Sequence, residues 1–361
     1  MRLVADSGLW STGQSLAHPP LTTVLEVSGA VLSWIVDDPS AAAQITFTDP
    51  VRADWLWRVL GEQGHSALAA AVDGRTPGTV IELTGVNVLP GSLEPLRRLA
   101  LGHWLGRWWP ASQRDGIAAL DGALLDAEIA VLTADAQDFF ADDTFDSDVA
   151  ELLRPHAATL SAHLHSGDLR VIELVRTCAE LADDVGVAFG EADRVPLRRD
   201  DYALAAGPDP GRNLASAIAT GADSVNWSAV PPGIFDAAER TVAWRVEAAD
   251  GVTKAVVRVE LSGPGLASGI AVRLRSGSIG GAGALDADGV AEFQLVDAAD
   301  QPVTESAAWD HDWRSAAVTV GADVRESPQT RERIRDFARA RLRGPAPDAF
   351  LAEVIAAESD Y

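Results

Sequence analysis

A chain of 361 residues, 47% of them hydrophobic, is long enough for two or three domains with real cores. Its 53 acidic residues against 29 basic give a net charge of −24, which repels phosphate backbones and anionic headgroups and disfavours generic nucleic-acid or membrane binding. One cysteine, Cys178, excludes an intrachain disulfide and fits a reducing, cytoplasmic compartment. Asp6 interrupts any early apolar run of a signal peptide, and no run of ~18 uncharged apolar residues offers a membrane helix.

Residues 1–90 read as a small α+β domain. Thr23–Val27, Val31–Val36 and Gln44–Thr48 are β-branched-rich runs with turn residues between them. Asp49-Pro50 has the form of a helix start, with a stripe of Leu56, Val59, Leu60 and Ala67, and Asp73-Gly74 ends it. Val80–Val88 is expected as a further strand.

From residue 91 to 190 the period becomes helical, and four helices with short loops imply an antiparallel bundle. The first starts at Ser92, carries Leu96, Leu99, Trp104 and Trp108 and stops at Pro110. The second spans about Ile117–Phe140. The third starts at Asp148, which has capping-box spacing to Glu151, and runs to Leu164. The fourth carries Ile172, Val175, Cys178, Leu181 and Val185 and ends at Gly186. This region holds 17 acids against 7 arginines.

Residues 191–226, with Gly207-Pro208-Asp209-Pro210-Gly211, read as a linker. Residues 227–325 alternate with period two: Thr241–Glu247, Lys254–Leu261, Ile270–Arg275, Val290–Val296 and Ala316–Val320, separated by Gly-, Pro- and Asp-rich turns. That pattern implies a β-sandwich. Within it, Gly283–Phe293 resembles the hairpin of transthyretin-like or Cna-B-like modules over about a dozen residues, a spacing any Asp-Gly hairpin also produces. Residues 326–361 form a helical tail, with one helix from Ser327-Pro328 to Arg343 and a short last one ending near Ser359. The fold class is therefore α+β multidomain.

Six local patterns bear on chemistry. His163-Leu164-His165-Ser166-Gly167-Asp168 resembles the His-x-His-x-Asp-His motif of metallo-β-lactamase-fold hydrolases, which would imply a metal site. Its aspartate comes one position late, its last histidine is missing and it ends a helix rather than following a strand. Histidines suited to a helix C-terminus are the alternative. His156 and Cys178 lie on apolar stripes and read as structural. Trp309-Asp310-His311-Asp312-Trp313 joins two strand-like segments and is either a site, with an Asp–His pair for proton transfer and Trp faces for binding, or a loop packed back on the sheets. Ser276–Gly283 lacks the following helix of a phosphate loop and reads as a hairpin loop. Arg331, Arg335 and Arg339, at four-residue spacing, share one face of the tail helix and suit docking on the acidic bundle or a partner, or contact with nucleic acid. Asp142–Asp148 lacks the glycine and terminal glutamate of a calcium loop.

No metal or cofactor signature passes its context test. The leading expectation is a non-catalytic interaction or scaffold protein with a protein partner, no membrane and no cofactor. The alternatives are a hydrolase or metal enzyme near His311 or His163 and His165, and nucleic-acid contact through Arg331–Arg343.

Overall fold

A computed structural model describes residues 1–13, 16–73, 78, 80–137, 139–140, 146–165, 167–189, 217–249, 251–263, 265–324, 326–344 and 346–359. The Gly207–Gly211 breaker, most of the expected linker, Gly74 and Asp142–Phe145 lie outside the described residues. The chain is mixed α and β, with antiparallel sheets. It divides into two compact units: Met1–Gly106 with Leu120–Asp193 and Arg339–Tyr361, and Arg107–Ala119 with Arg194–Ala338. Among the described residues no helix is long and apolar enough to cross a membrane.

The first unit opens with β1 (Arg2–Asp6), β2 (Leu9–Thr12), β3 (Thr22–Val27), β4 (Ala30–Ile35) and β5 (Gln44–Phe47). With β6 (Ile81–Glu82) they form a sheet of order β3-β4-β5-β2-β1-β6, antiparallel throughout. Alternation explains β4, whose Ala30, Leu32 and Trp34 are buried while the residues between are half-buried. Gly29 makes the β3–β4 turn at φ +72°, and a Cβ there would meet the Asp49 carbonyl oxygen at 2.3 Å. Only glycine suits that turn.

Two expectations for this stretch need correction. The helix does not open at Asp49-Pro50: Asp49 Oδ1 accepts from the Val51 amide at 3.1 Å, closing a turn instead. Helix α1 (Trp57–Val72) follows a 3-10 turn at Asp54–Leu56. The expected strand Val80–Val88 shrinks to the two residues of β6, because the chain turns at Gly85, at φ +79°.

The helices of this unit are α2 (Glu94–Trp108), α3 (Gly122–Gln137), α4 (Asp146–Leu153), α5 (Ala157–His163) and α6 (Leu169–Asp184). The second expected helix starts later than Ile117, because Asp121 caps it: its Oδ1 accepts from the Ala123 and Leu124 amides at 2.9 and 3.1 Å. The third, expected to be continuous from Asp148, starts at Asp146 and breaks into α4, a 3-10 turn at Arg154–His156 and α5. Pro155 is the cause, since it has no N–H to continue the α-helical ladder. Helix α3 packs against α4, α5 and α6, and against α9 (Leu351–Ser359).

The second unit contains β7 (Ala217–Asp223), β8 (Val242–Ala249), β9 (Val252–Val259), β10 (Ala271–Ser276), β11 (Ile279–Ala284), β12 (Val290–Gln294), α7 (Glu305–Asp310) and β13 (Ala317–Val320). Helix α8 (Pro328–Arg343) belongs to it as far as Ala338. One sheet has order β12-β9-β8-β7 and the other β11-β10-β13, both antiparallel. Residues of both sheets, among them Val246, Val257, Val272, Leu274 and Val320, share one hydrophobic core. Residues 107–119 are tied in by Asp236, buried at 3% exposure, which accepts from Ser112 Oγ at 2.6 Å and the Gln113 and Ala238 amides at 2.9 Å each. Three such bonds satisfy an ion that would otherwise be costly to bury.

The glycine run expected as a hairpin loop is strand β11. Its glycines serve packing: a Cβ on Gly281 or Gly283 would approach Phe293 ring carbons at 2.9 and 2.7 Å. The aromatic ring occupies the space that side chains would fill.

Candidate functional site

The first unit holds a cleft of about 390 Å³ lined by Leu25, Glu26, Leu99, His103, Asp126, Thr133, Asp148, Glu151 and Leu152. Each element contributes residues that its geometry sets side by side. Leu99 and His103 lie four apart on α2, and Asp148, Glu151 and Leu152 lie three and four apart on α4. Asp126 and Thr133 lie two turns apart on α3, and β3 supplies Leu25 and Glu26 from one edge of its sheet.

The lining is apolar where it is deep and anionic where it is open. Leu99 and Leu25 are buried at 2% and 9% exposure, while Glu26, Asp148 and Glu151 are exposed. Among the described residues no lysine or arginine lines the cleft. Asp126 Oδ2 meets His156 Nε2 at 2.8 Å, and Thr133 Oγ1 donates to the Ile129 carbonyl at 2.8 Å. His103 is walled by protein yet open to solvent, as a side chain lining a concavity should be. Desolvation pushes its imidazole below the ordinary value of 6.5, against the pull of Asp126 and Asp148. The ring is therefore neutral at pH 7, and the cleft keeps its negative charge. Such a surface suits a cation with an apolar stem.

The sequence passed over this site. Asp148 and Glu151 read there only as a helix start, and His103 belongs to no motif. The available signal was a chemistry-bearing residue four positions from a leucine on each of two helices, His103 from the buried Leu99 and Asp148 from the half-buried Leu152. Which helices face each other is a long-range property that no local pattern carries.

The residues singled out from sequence are placed as follows. His163 closes α5, with Nε2 3.2 Å from Asp121 Oδ2 and out of line for a hydrogen bond. His165 is exposed, and Asp168 caps α6 by accepting from the Arg170 amide at 2.8 Å. These three side chains are therefore not gathered on one point, and among the described residues no group of three or more His, Cys, Asp or Glu side chains is placed to hold a metal. His156 is held by Asp126, as its place on a packed face implied. Cys178 is fully buried, its Sγ donates to the Ala127 carbonyl at 3.4 Å, and burial pushes its thiol up to about 12.

The Trp309–Trp313 segment is not a plain loop. It comprises the end of α7, capped by Thr304, and a 3-10 turn beginning at Trp313. Trp313 packs into the core at 9% exposure and donates Nε1–H to the Ala308 carbonyl at 2.9 Å. Trp309 is 57% exposed. Asp310 ends α7, and Asp312 is engaged by Arg314, whose hydrogen bonds hold the carboxyl down at about 2. His311 stacks edge-on against Trp313 at 4.6 Å and shares a hydrogen bond of 2.9 Å with Ser276 Oγ. Ser276 is 0% exposed, so a substrate has no approach to that hydroxyl without an opening.

On α8, Arg331 and Arg335 meet the same glutamate. Arg331 donates from Nε and a terminal nitrogen to Glu239 at 2.8 Å each, and Arg335 donates to Glu239 Oε1 at 3.0 Å and lies 3.4 Å from Asp115 Oδ2. Both arginines are buried, at 5% and 6% exposure. Arg339 falls in the first unit's share of the helix, as does Arg341, which is 7% exposed and pairs with Glu353 and Asp348.

Compared with known proteins, the chain matches no family model, no curated protein and no solved structure.

Proposed function

We propose that this chain is a non-catalytic interaction protein that holds its partner by one or two basic side chains seated in the acidic cleft of the first unit. The observation that carries the reading is the lining itself: Glu26, Asp126, Asp148 and Glu151 around Leu25, Leu99 and Leu152, with no lysine or arginine among the described lining residues and a neutral His103 beside them. A volume of about 390 Å³ lies at the small end of ligand sites and fits side chains rather than a folded element. Arginine and lysine present a charged head on an aliphatic stem, which matches carboxylates above leucines. The net charge of −24 steers such a partner in.

The test is equilibrium binding of an arginine-rich peptide at moderate salt. Asp148→Asn with Glu151→Gln is expected to weaken it at least tenfold, because each removes a charge that no ion pair holds among the described residues. Affinity is also expected to fall as pH drops through the lowered range of His103, since a protonated ring adds a competing cation. No binding by the unaltered protein, or equal binding by the double variant, contradicts the reading.

A second reading, a hydrolase at Ser276 and His311, draws on their 2.9 Å contact, the geometry of a nucleophile and its base. Because Ser276 is buried, we take the pair as a tie between β10 and the turn at Trp313. A serine-reactive fluorophosphonate is therefore expected to leave the native protein unlabelled. Labelling at Ser276 would restore the enzyme. Nucleic-acid contact through Arg331–Arg343 has less support, because Arg331, Arg335 and Arg341 spend their charge on buried carboxylate contacts. The finer architecture we favour is a bundle for α3 to α6 and a sandwich for the two sheets of the second unit.

A further inference from the structure

We propose that the outer face of the sheet β11-β10-β13 is a docking surface for an extended acidic peptide carrying carboxylates at alternate positions. The inference is independent of the cleft, which lies in the other unit.

Strand β10 alternates strictly. Val272, Leu274 and Ser276 point into the core, and Ala271, Arg273 and Arg275 are exposed on the other side. The register sets the neighbours of the two arginines: Arg273 stands between Ala282 and Thr319, and Arg275 between Gly280 and Ala317. Every side chain flanking them is small and none is acidic. The guanidinium groups therefore rise from a low, open floor that a second chain can approach closely.

Their charge is also uncommitted. Elsewhere in this unit Arg114, Arg245, Lys254, Arg314, Arg331 and Arg335 each meet a carboxylate; Arg240 and Arg258 meet none among the described residues, but they stand singly, whereas Arg273 and Arg275 are neighbours on one face of one strand. Neither the Arg273 nor the Arg275 side chain has an ion pair or hydrogen bond among the described residues. In a chain with 53 acidic residues, two adjacent arginines without a carboxylate form a local cationic spot. At physiological salt, charges beyond ~8 Å are largely screened, so this spot rather than the net charge decides what binds at contact.

Spacing selects the occupant. Residues two apart on a strand are ~6.6 Å apart along it, and an extended peptide repeats its side chains at the same interval on one face. Glutamates or aspartates at alternate positions can then each meet one guanidinium, which takes a carboxylate through two parallel hydrogen bonds. Single-stranded nucleic acid has a comparable charge spacing but needs aromatic platforms for its bases, and this face offers alanine, glycine and threonine.

The test uses the full chain and two fluorescent peptides of equal composition, one with glutamate at every second position and one with the glutamates in a block, at 0.15 M salt. The alternating peptide is expected to bind at least fivefold more tightly than the block peptide. Arg273→Ala with Arg275→Ala is expected to weaken it tenfold or more with an unchanged melting temperature, because both side chains project away from the core. Lysine at both positions keeps the charge without the paired hydrogen bonds and is expected to recover part of the loss. Absence of binding, equal affinity for the two peptides, full binding by the double alanine variant, or displacement of the peptide by a single-stranded oligonucleotide would each overturn the proposal.

Discussion

Glu353→Ala is expected to destabilise the first unit by about 3–5 kcal/mol, the usual cost of removing one partner from a buried ion pair. Glu353 is 0% exposed and Arg341 7% exposed. The pair is joined at two points, one of them a 2.7 Å bond from a terminal nitrogen of Arg341 to Glu353 Oε2. The same oxygen accepts from the Phe350 amide at 2.9 Å, so the carboxylate also caps α9. Beside it Glu128 accepts from the Leu351 amide at 2.7 Å, and burial pushes its own carboxyl up. Alanine at 353 takes the fully buried carboxylate away from the Arg341 guanidinium, and Asp348, 3.1 Å away, is partly exposed. Amide exchange followed by mass spectrometry reads the result locally, as earlier exchange in α9. The Arg341→Met, Glu353→Met double variant should recover much of the loss, because desolvation of the pair offsets most of its attraction. A double variant no better than Glu353→Ala would mean that the cap, not the charge, holds the helix.

Glu239→Gln is expected to cost the second unit about 3 kcal/mol at pH 7, the lower end of the range because its side chain is 35% exposed. Glu239 is the shared acceptor of Arg331, Arg335 and Ser224. Burial pushes its carboxyl up, but hydrogen bonds from Arg331 and Ser224 outweigh that and hold it at about 2. A carboxyl depressed in the folded state contributes stability that is complete above the unfolded value of 4.5 and lost as pH falls toward 2. Urea titrations at pH 7 and pH 3 should therefore show the gap between the native protein and Glu239→Gln narrowing in acid. A gap independent of pH would assign the loss to packing.

Local chemistry was legible where local rules decide the outcome. The alternation in residues 241–296 and 316–320 gave β8, β9, β10, β12 and β13 to within about two residues, while β7 lies in the stretch read as a linker and β11 in one read as a loop; Ser327-Pro328 gave the start of α8. The four-residue spacing also put Arg331 and Arg335 on one face, where both meet Glu239. Glu239 lies outside residues 91–190, where the acidic counterpart in this chain was expected, whereas Asp115, 3.4 Å from Arg335, lies inside them. Asp121 moved a helix start that hydrophobic spacing had set, Pro155 split a helix that the same spacing made continuous, and at Asp49 a capping signature closed a turn instead. The β1–β2 hairpin went unread because Leu3, Trp10 and Ser11 are buried in a stretch with weak alternation. The cleft was least legible of all, since it joins β3, α2, α3 and α4 across more than 120 residues of sequence.

The most direct test of the cleft as the recognition site is zero-length carbodiimide coupling of a lysine-rich peptide to the native protein, with the coupled carboxylates mapped by mass spectrometry. The account predicts amide links concentrated at Glu26, Asp148 and Glu151, and their loss in competition with an arginine-rich peptide. Links spread over exposed carboxylates elsewhere, with those three spared, would contradict it.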